Sequence, residues 1–376
     1  MARILILGGG FGGVVAAESL ANSLGEEHEI TLVSRDRRFI FYPALVRLAF
    51  DKCEPEDVSF DLRKTMLHRR ARFMHAEVAR IDPDERKVYV AHGEMEGTIP
   101  YDYLIYALGR RLATEQVTGF YENAQHILTV EAALKFRGAI EGFKRGRAVI
   151  GQCAGARLDV PVYETAFALS HYLEANGLSD KSRITIVSAE PPGLTLGDGQ
   201  FAIALRTALE AHNIEVLSDF PINRITPGAA LTSNHHAINF NLLMLLPPFR
   251  GSSPASRIGI TDSEDYINVN ATMRVVGVER MYAVGDCVNF TGPKMGHMAV
   301  HQAEIAAANL EAELRGQLGE ATYNHQMLSI IDEGGGESIY LRKDLWAPDE
   351  PATVKQGRFW SWAKRAHEKY WQAVHS

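Results

Sequence analysis

Cysteine is scarce in this chain: Cys53, Cys153 and Cys287 are the only three among 376 residues. They are too few and too scattered for a disulfide framework or a CxxC metal site, so a reducing compartment and no metal are expected. An excess of cations is missing as well. The formal charge of −7 gives no global basic field to hold a nucleic acid backbone, which sets nucleic acid aside as a partner. Long apolar runs are also absent. Ile4 to Leu7 is cut short by glycines and reads as a strand rather than a signal, and Leu242 to Leu246 is far below the roughly 20 residues that cross a bilayer. No low-complexity tract or short-period repeat breaks the chain. The remainder, 46% hydrophobic and 23% charged, is ordinary for a globular protein. Its length suggests two or three domains at roughly 150 residues each.

Glycine is plentiful, and its placement carries the first information. Arg3 to Leu7 reads as a strand, Gly8-Gly9-Gly10-Phe11-Gly12-Gly13 as a loop, Val14 to Ala21 as a helix and Ile30 to Val33 as a second buried strand. Gly8, Gly10 and Gly13 fit GxGxxG between a strand and a helix. There the backbone turns tightly, approaches a pyrophosphate and packs helix on strand, with the anion at the helix N-terminus. A second unit repeats the plan: Ala148 to Ile150, a turn from Gly151 to Gly155, a helix ending near Asn176-Gly177, and Ile184 to Val187. Between them lie strand-like pieces, Val78 to Ile81 and Val88 to Val90, and a buried strand, Tyr101 to Leu108, closing on Gly109. A loop from Pro247 to Ser256, a strand ending in Gly285-Asp286 and a helix from His297 to Leu314 follow.

The acid that usually holds a ribose at the end of the second strand is replaced by Ser34, beside Arg35, with Asp36 two residues on; the sequence leaves both Ser34 and Asp36 open. His297 and His301 lie four apart on one helical face without a carboxylate or cysteine partner, so neither is read as a metal ligand, and His297 is kept as a minor catalytic candidate. Cys153, in the turn of the second unit, is kept as a thiol whose pKa a helix dipole would lower. Residues 355 to 376 break with the rest in composition. They hold five cations against Glu368 and three of the four tryptophans, Trp360, Trp362 and Trp371. Phe359, Trp362, Ala363, Ala366, Tyr370 and Val374 recur at helical spacing, as in a helix lying in a bilayer interface.

Together the first glycine loop, the strand closing on Gly109, the second unit and Ala283 to Asp286 resemble the pyridine nucleotide-disulfide oxidoreductase superfamily. Within it, Gly151 to Glu164, Leu243 to Gly251 and Gly292 to Met298 are similar to sulfide:quinone oxidoreductases. The resemblance implies an α/β protein of two Rossmann-like three-layer domains plus a C-terminal membrane-associating helical segment. Its implied parts are an FAD-binding domain over 1–115 and 236–315, a second nucleotide-binding-like domain over 116–235, and a C-terminal region over 316–376 with the amphipathic tail. It implies FAD, held by Gly8, Gly10, Phe11, Gly12 and Gly13, by Ser34, Arg35 and Asp36 at the ribose, by Val78, and by Ala107, Leu108 and Gly109. Gly285 and Asp286 would fix the ribityl chain, Pro43 and Ala44 would lie near the ring, and Lys294, Met295 and Gly296 would sit at its pyrimidine end. There Lys294 would act catalytically, stabilising negative charge on the reduced flavin.

Sulfide oxidation in that subfamily uses a cysteine pair, and by the resemblance Leu158 and Ser329 stand in its two positions. The expected activity is therefore passage of two electrons from an unidentified small-molecule donor through FAD to a membrane quinone. Such an enzyme would work as a peripheral protein on the cytoplasmic face, with homo-oligomerisation left open. A type II NADH:quinone dehydrogenase is the first alternative. NAD(P)H is disfavoured because Cys153 replaces the middle glycine of the second loop and is expected to crowd a pyrophosphate, although Glu190 is placed to hold an adenosine ribose. A non-catalytic flavin-containing binding or assembly protein is the other alternative.

Overall fold

The computed structural model describes residues 1–190 and 199–375. Its elements, in chain order, begin with Arg3–Leu7 (β1), Phe11–Leu24 (α1), Glu29–Ser34 (β2), Leu45–Ala49 (α2), Arg72–Asp82 (β3), Lys87–Gly93 (β4), Gly97–Pro100 (β5) and Tyr103–Tyr106 (β6). The second unit is Gly146–Gln152 (β7), Val160–Ala175 (α3), Ser182–Val187 (β8), Ile214–Leu217 (β9) and Leu242–Leu246 (β10). Met281–Ala283 (β11) and Gly296–Leu314 (α4) follow, then Gln326–Gly334 (β12), Glu337–Asp344 (β13), Thr353–Gln356 (β14) and Arg358–His375 (α5).

The first sheet runs β11-β6-β1-β2-β3-β4-β5, parallel through β3 and antiparallel at β4 and β5. Strand β1 sits near its middle and is covered on both faces. Accordingly it carries an unbroken apolar run, Ile4 to Leu7, every residue of it buried. The second sheet is parallel throughout, in the order β9-β8-β7-β10. Both sheets place their glycine turns at the carboxyl ends of strands, where open α/β sheets bind ligands.

Two antiparallel strands, Arg110–Leu112 and Phe249–Gly251, run side by side where the chain leaves the first domain and returns to it. This corrects two expectations. The return to the first domain, placed at residue 236, falls too early, because β10 is an integral strand of the second sheet. The stretch from Pro247 to Ser256, expected as a loop, holds a strand and a short helix, Ser253–Ser256.

Beyond α4 the chain forms a three-stranded antiparallel sheet, β12-β13-β14, which the sequence reading did not anticipate. Its β12 strand alternates, with Met327, Ser329 and Ile331 buried and Leu328 exposed. Helix α5 then folds back over both domains. Among the described residues no helix is long and apolar enough to cross a membrane.

Candidate functional site

The first glycine loop is shaped by backbone contact. Gly8 has φ of +108°, and a Cβ there would fall 2.1 Å from the Ala107 carbonyl oxygen. A Cβ on Gly13 would fall 1.8 Å from the carbonyl of Gly8, so both positions admit only hydrogen. At Gly10 a Cβ would meet nothing within 4 Å. This residue caps α1, whose first turn has no side-chain partner for its N–H groups. Open space before an uncapped helix N-terminus is what a pyrophosphate needs.

The neighbouring segments close around that space. Gly12 lies against Val284 and the Ala299 carbonyl, and a Cβ on Gly285 would sit 3.4 Å from Ala299. Gly109 has φ of +67° with open space beside it. Asp286 pairs with Arg110 at 3.3 Å, and the Arg110 guanidinium lies over the Phe249 ring at 3.8 Å. Met295 caps α4, a second helix N-terminus without a side-chain cap. The structure thus brings Gly8 to Gly13, Ala107 to Gly109, Gly285-Asp286 and Lys294 to Gly296 together. These residues fit an extended dinucleotide: glycine room for its phosphates, a carboxylate beyond them, and a helix N-terminus with a lysine at the far end.

The remaining cofactor candidates are placed more loosely. Ser34 is buried, its Oγ accepting the Asp36 N–H at 3.2 Å, whereas Arg35 and Asp36 are exposed and pair with each other at 3.4 Å. Val78 lies beyond His75, the register partner of Ser34, and its side chain is buried beside Val90. Pro43 lies at the surface, while Ala44 is buried at the start of α2. The Phe11 side chain turns away from the loop into an aromatic cluster with Phe39 and Phe41.

Lys294 is buried, its Nζ donating to the carbonyls of Val288 and Phe290 and lying 4.5 Å from the centre of the Tyr266 ring. Burial first, then the nearby Arg157 guanidinium, pulls its pKa down to about 7. Arg157 is itself pinned, donating to the carbonyls of Gly292 and Phe290. His297 is tied to β12. Its Nε2 lies 3.1 Å from both the Leu328 N–H and the Gln326 carbonyl, and burial lowers its pKa, so the ring bridges α4 and β12.

Cys153 corrects two expectations. Its side chain is 2% exposed and packs with Val149, Val187 and Leu245, and burial pushes the thiol up to about 12 instead of lowering it. The helix whose dipole was to act on it begins only at Val160. The side chain also points into the core and so does not crowd the loop. What separates the two units is length: α1 starts three residues after Gly8, but α3 starts nine after Gly151, with Arg157 and Leu158 in between. Cys287 is likewise buried and raised to about 12, and all three cysteines are free.

The structure also reveals a pair that sequence reasoning missed. Glu164, on α3, is buried and forms an ion pair with Lys364 of α5, while its Oε1 also accepts the Asp332 N–H at 2.8 Å. Lys364 Nζ lies 3.3 Å from the Ile330 carbonyl. Burial pushes the Glu164 carboxyl up, and Lys364 opposes that shift. The pair stands beside β12, which carries Ser329 on its buried face, and on the helix that follows Leu158. The sequence carries a signal for the Lys364 side of this pair only. Trp360, Lys364, Glu368, Trp371 and His375 form a second face of the tail at helical spacing, distinct from the apolar one.

That second face is the docked one. Trp360 stacks on Tyr340 at 4.0 Å, Glu368 pairs with Arg47 at 2.7 Å, and His375 reaches Glu18 at 2.5 Å. Phe359, Trp362 and Tyr370 point to solvent, each more than 60% exposed.

The comparisons with known proteins agree with this geometry. The chain is 26% identical to the sulfide-quinone reductase of Aquifex aeolicus (strain VF5), over 98% of this chain and 90% of that protein. The crystal structure of sulfide:quinone oxidoreductase from Aquifex aeolicus superimposes with a TM-score of 0.92 over 98% of this chain and 90% of that one. A type II NADH:quinone oxidoreductase of Haemophilus influenzae is 23% identical over 83% of this chain and 80% of its own length. The family described as pyridine nucleotide-disulphide oxidoreductase matches residues 2–304. This chain is a flavoprotein oxidoreductase and belongs to the pyridine nucleotide-disulphide oxidoreductase family.

Proposed function

We propose that this chain is a peripheral membrane flavoenzyme that delivers two electrons to a quinone. One observation carries the reading: a single helix, α5, presents its docked face to the interior through Lys364 and Glu164 and its apolar face to the outside through Phe359, Trp362 and Tyr370. An acceptor dissolved in a bilayer can be reached by a soluble fold only if that fold rests on the bilayer. An apolar stripe flanked by Lys355, Arg358, Arg365 and Lys369 suits an anionic lipid surface.

The first glycine loop, Asp286 and the start of α4 would hold FAD, which would supply a two-electron carrier. Around it the chain's own groups have distinct tasks. The uncapped N-terminus of α4 places partial positive charge at one end of the site, favouring the reduced, more negative state, and Lys294, whose pKa burial pulls down to about 7, would take up a proton there as that charge develops. Reducing a quinone to a quinol consumes two electrons and two protons. A buried carboxyl raised by burial and bonded to a lysine is suited to holding a proton away from bulk water, and we assign that role to Glu164 with Lys364.

The donor is a small molecule other than one processed through a cysteine pair, because Leu158 and Ser329 cannot form a disulfide. NADH is a weaker reading. The relative from Haemophilus favours it, but the long loop before α3 does not present a helix N-terminus directly after β7. Anaerobic stopped-flow tests these readings together. Chemically reduced flavin is expected to be reoxidised by a soluble quinone analogue, and failure to do so sinks the quinone assignment. Rapid bleaching of the oxidised flavin by NADH would replace the leading reading with an NADH:quinone oxidoreductase. A flavin inert to every donor and acceptor would point to a binding or assembly protein.

A further inference from the structure

Trp371 is the most deeply buried aromatic residue of α5, at 4% exposure, although Phe359, Trp362 and Tyr370 of the same helix lie at the surface. It sits in the aromatic cluster, with ring centres 4.9 Å from Phe11, 6.0 Å from Phe39 and 6.4 Å from Phe41. Phe11 is the first residue of α1, directly after Gly10. Gly296, the first residue of α4, lies on the same ring, since a Cβ there would fall 3.1 Å from it. One phenyl ring therefore touches both of the helix N-termini that face the dinucleotide space, and Trp371 closes that ring from outside. A second contact grips α1 two turns further on. His375, whose ring centre is 3.9 Å from that of Trp371, reaches Glu18 of α1.

We propose that Trp371 is a positioning residue for the flavin dinucleotide, acting through Phe11 to fix the starts of α1 and α4. The docked tail is on this view a working part of the cofactor site, and cofactor binding and tail docking reinforce each other. Reciprocity is then required by linkage. Whatever Trp371 contributes to FAD affinity, FAD returns to the docking of α5. The chain thus holds its bilayer-facing stripe in place most firmly when it is loaded with flavin.

The test measures flavin binding, not turnover, and so stands apart from the quinone assignment. Apoprotein is titrated with FAD and the flavin fluorescence followed. Trp371→Ala is expected to weaken binding at least tenfold, Trp371→Phe to restore it to within threefold of the parent, and Trp362→Ala, on the solvent face, to leave it unchanged. Parental affinity in Trp371→Ala overturns the proposal. Should that variant fail to fold, the parent protein decides. FAD is expected to slow tryptic cleavage after Lys364, Arg365 and Lys369, and equal cleavage rates with and without FAD overturn the proposal as well.

Discussion

Replacing Lys364 by Met removes the cation from a carboxylate whose side chain is 7% exposed, while Lys364 itself is 24% exposed. Breaking a buried ion pair on one side costs about 3–5 kcal/mol, because the remaining charge is left without compensation. The partial exposure of Lys364 places this case near about 3 kcal/mol. The penalty carries a pH signature. Glu164 already has a folded pKa above its ordinary 4.5, and losing Lys364 raises it further. The folded state then holds a proton that the unfolded state has released, so stability is retained below 4.5 and falls as pH rises toward the folded value. Thermal unfolding of the holoenzyme at pH 5 and pH 8 should show a deficit for Lys364→Met that is small at the lower pH and larger at the higher. Adding Glu164→Gln should recover most of it and flatten the pH dependence, since a neutral amide needs no partner cation. A deficit that does not change with pH, or a double variant no better than the single one, would refute the assignment of a charge-balancing role to Lys364.

Other expectations follow from the same geometry. Replacing Phe359, Trp362 and Tyr370 together by Ser should reduce co-sedimentation with anionic vesicles at least tenfold without altering the flavin spectrum, because burying each large apolar side chain contributes roughly 1.5–3 kcal/mol. Lys294, pulled down to about 7 from an ordinary 10.5, binds fewer protons folded than unfolded in that window. Stability of the apoprotein should therefore rise with pH between those values in the parent and lose that slope in Lys294→Met, as read by urea unfolding at stepped pH. Cys153, with its thiol pushed up to about 12, should resist iodoacetamide in the native protein and label fully once unfolded, as counted by mass spectrometry.

Much of the first domain was legible because its signals are local. The spacing of Gly8, Gly10 and Gly13 states a backbone requirement that the contacts with Ala107 and Gly8 bear out directly. Gly285-Asp286 was legible for the same reason, as a strand-terminal turn. Of the apolar stripe expected from helical spacing, Phe359, Trp362, Tyr370 and Val374 are exposed, while Ala363 and Ala366 are half-buried. What could not be read were relations across long separations. Glu164 and Lys364 lie 200 residues apart, and nothing in either neighbourhood names the other. Cys153 lies in a turn but seven residues before the helix start at Val160, and the fold sends its side chain into the core, neither of which its local sequence states. The sheet of β12 to β14 is weakly legible because its alternation rests on few residues, Met327, Ser329 and Ile331 on β12, and its pairings are set by the fold.

The anchorage of α5 has a consequence for the order in which the chain is made. The groups on which the helix docks, Phe11, Glu18, Phe39, Arg47, Glu164 and Tyr340, are all translated before it. Even the first sheet is completed late, by β11 from near residue 281. A ribosome therefore presents the sticky tail to a body that is already able to receive it. Docking of α5 is therefore a closing step, because it needs parts of both glycine-loop units and of the β12 to β14 sheet at once.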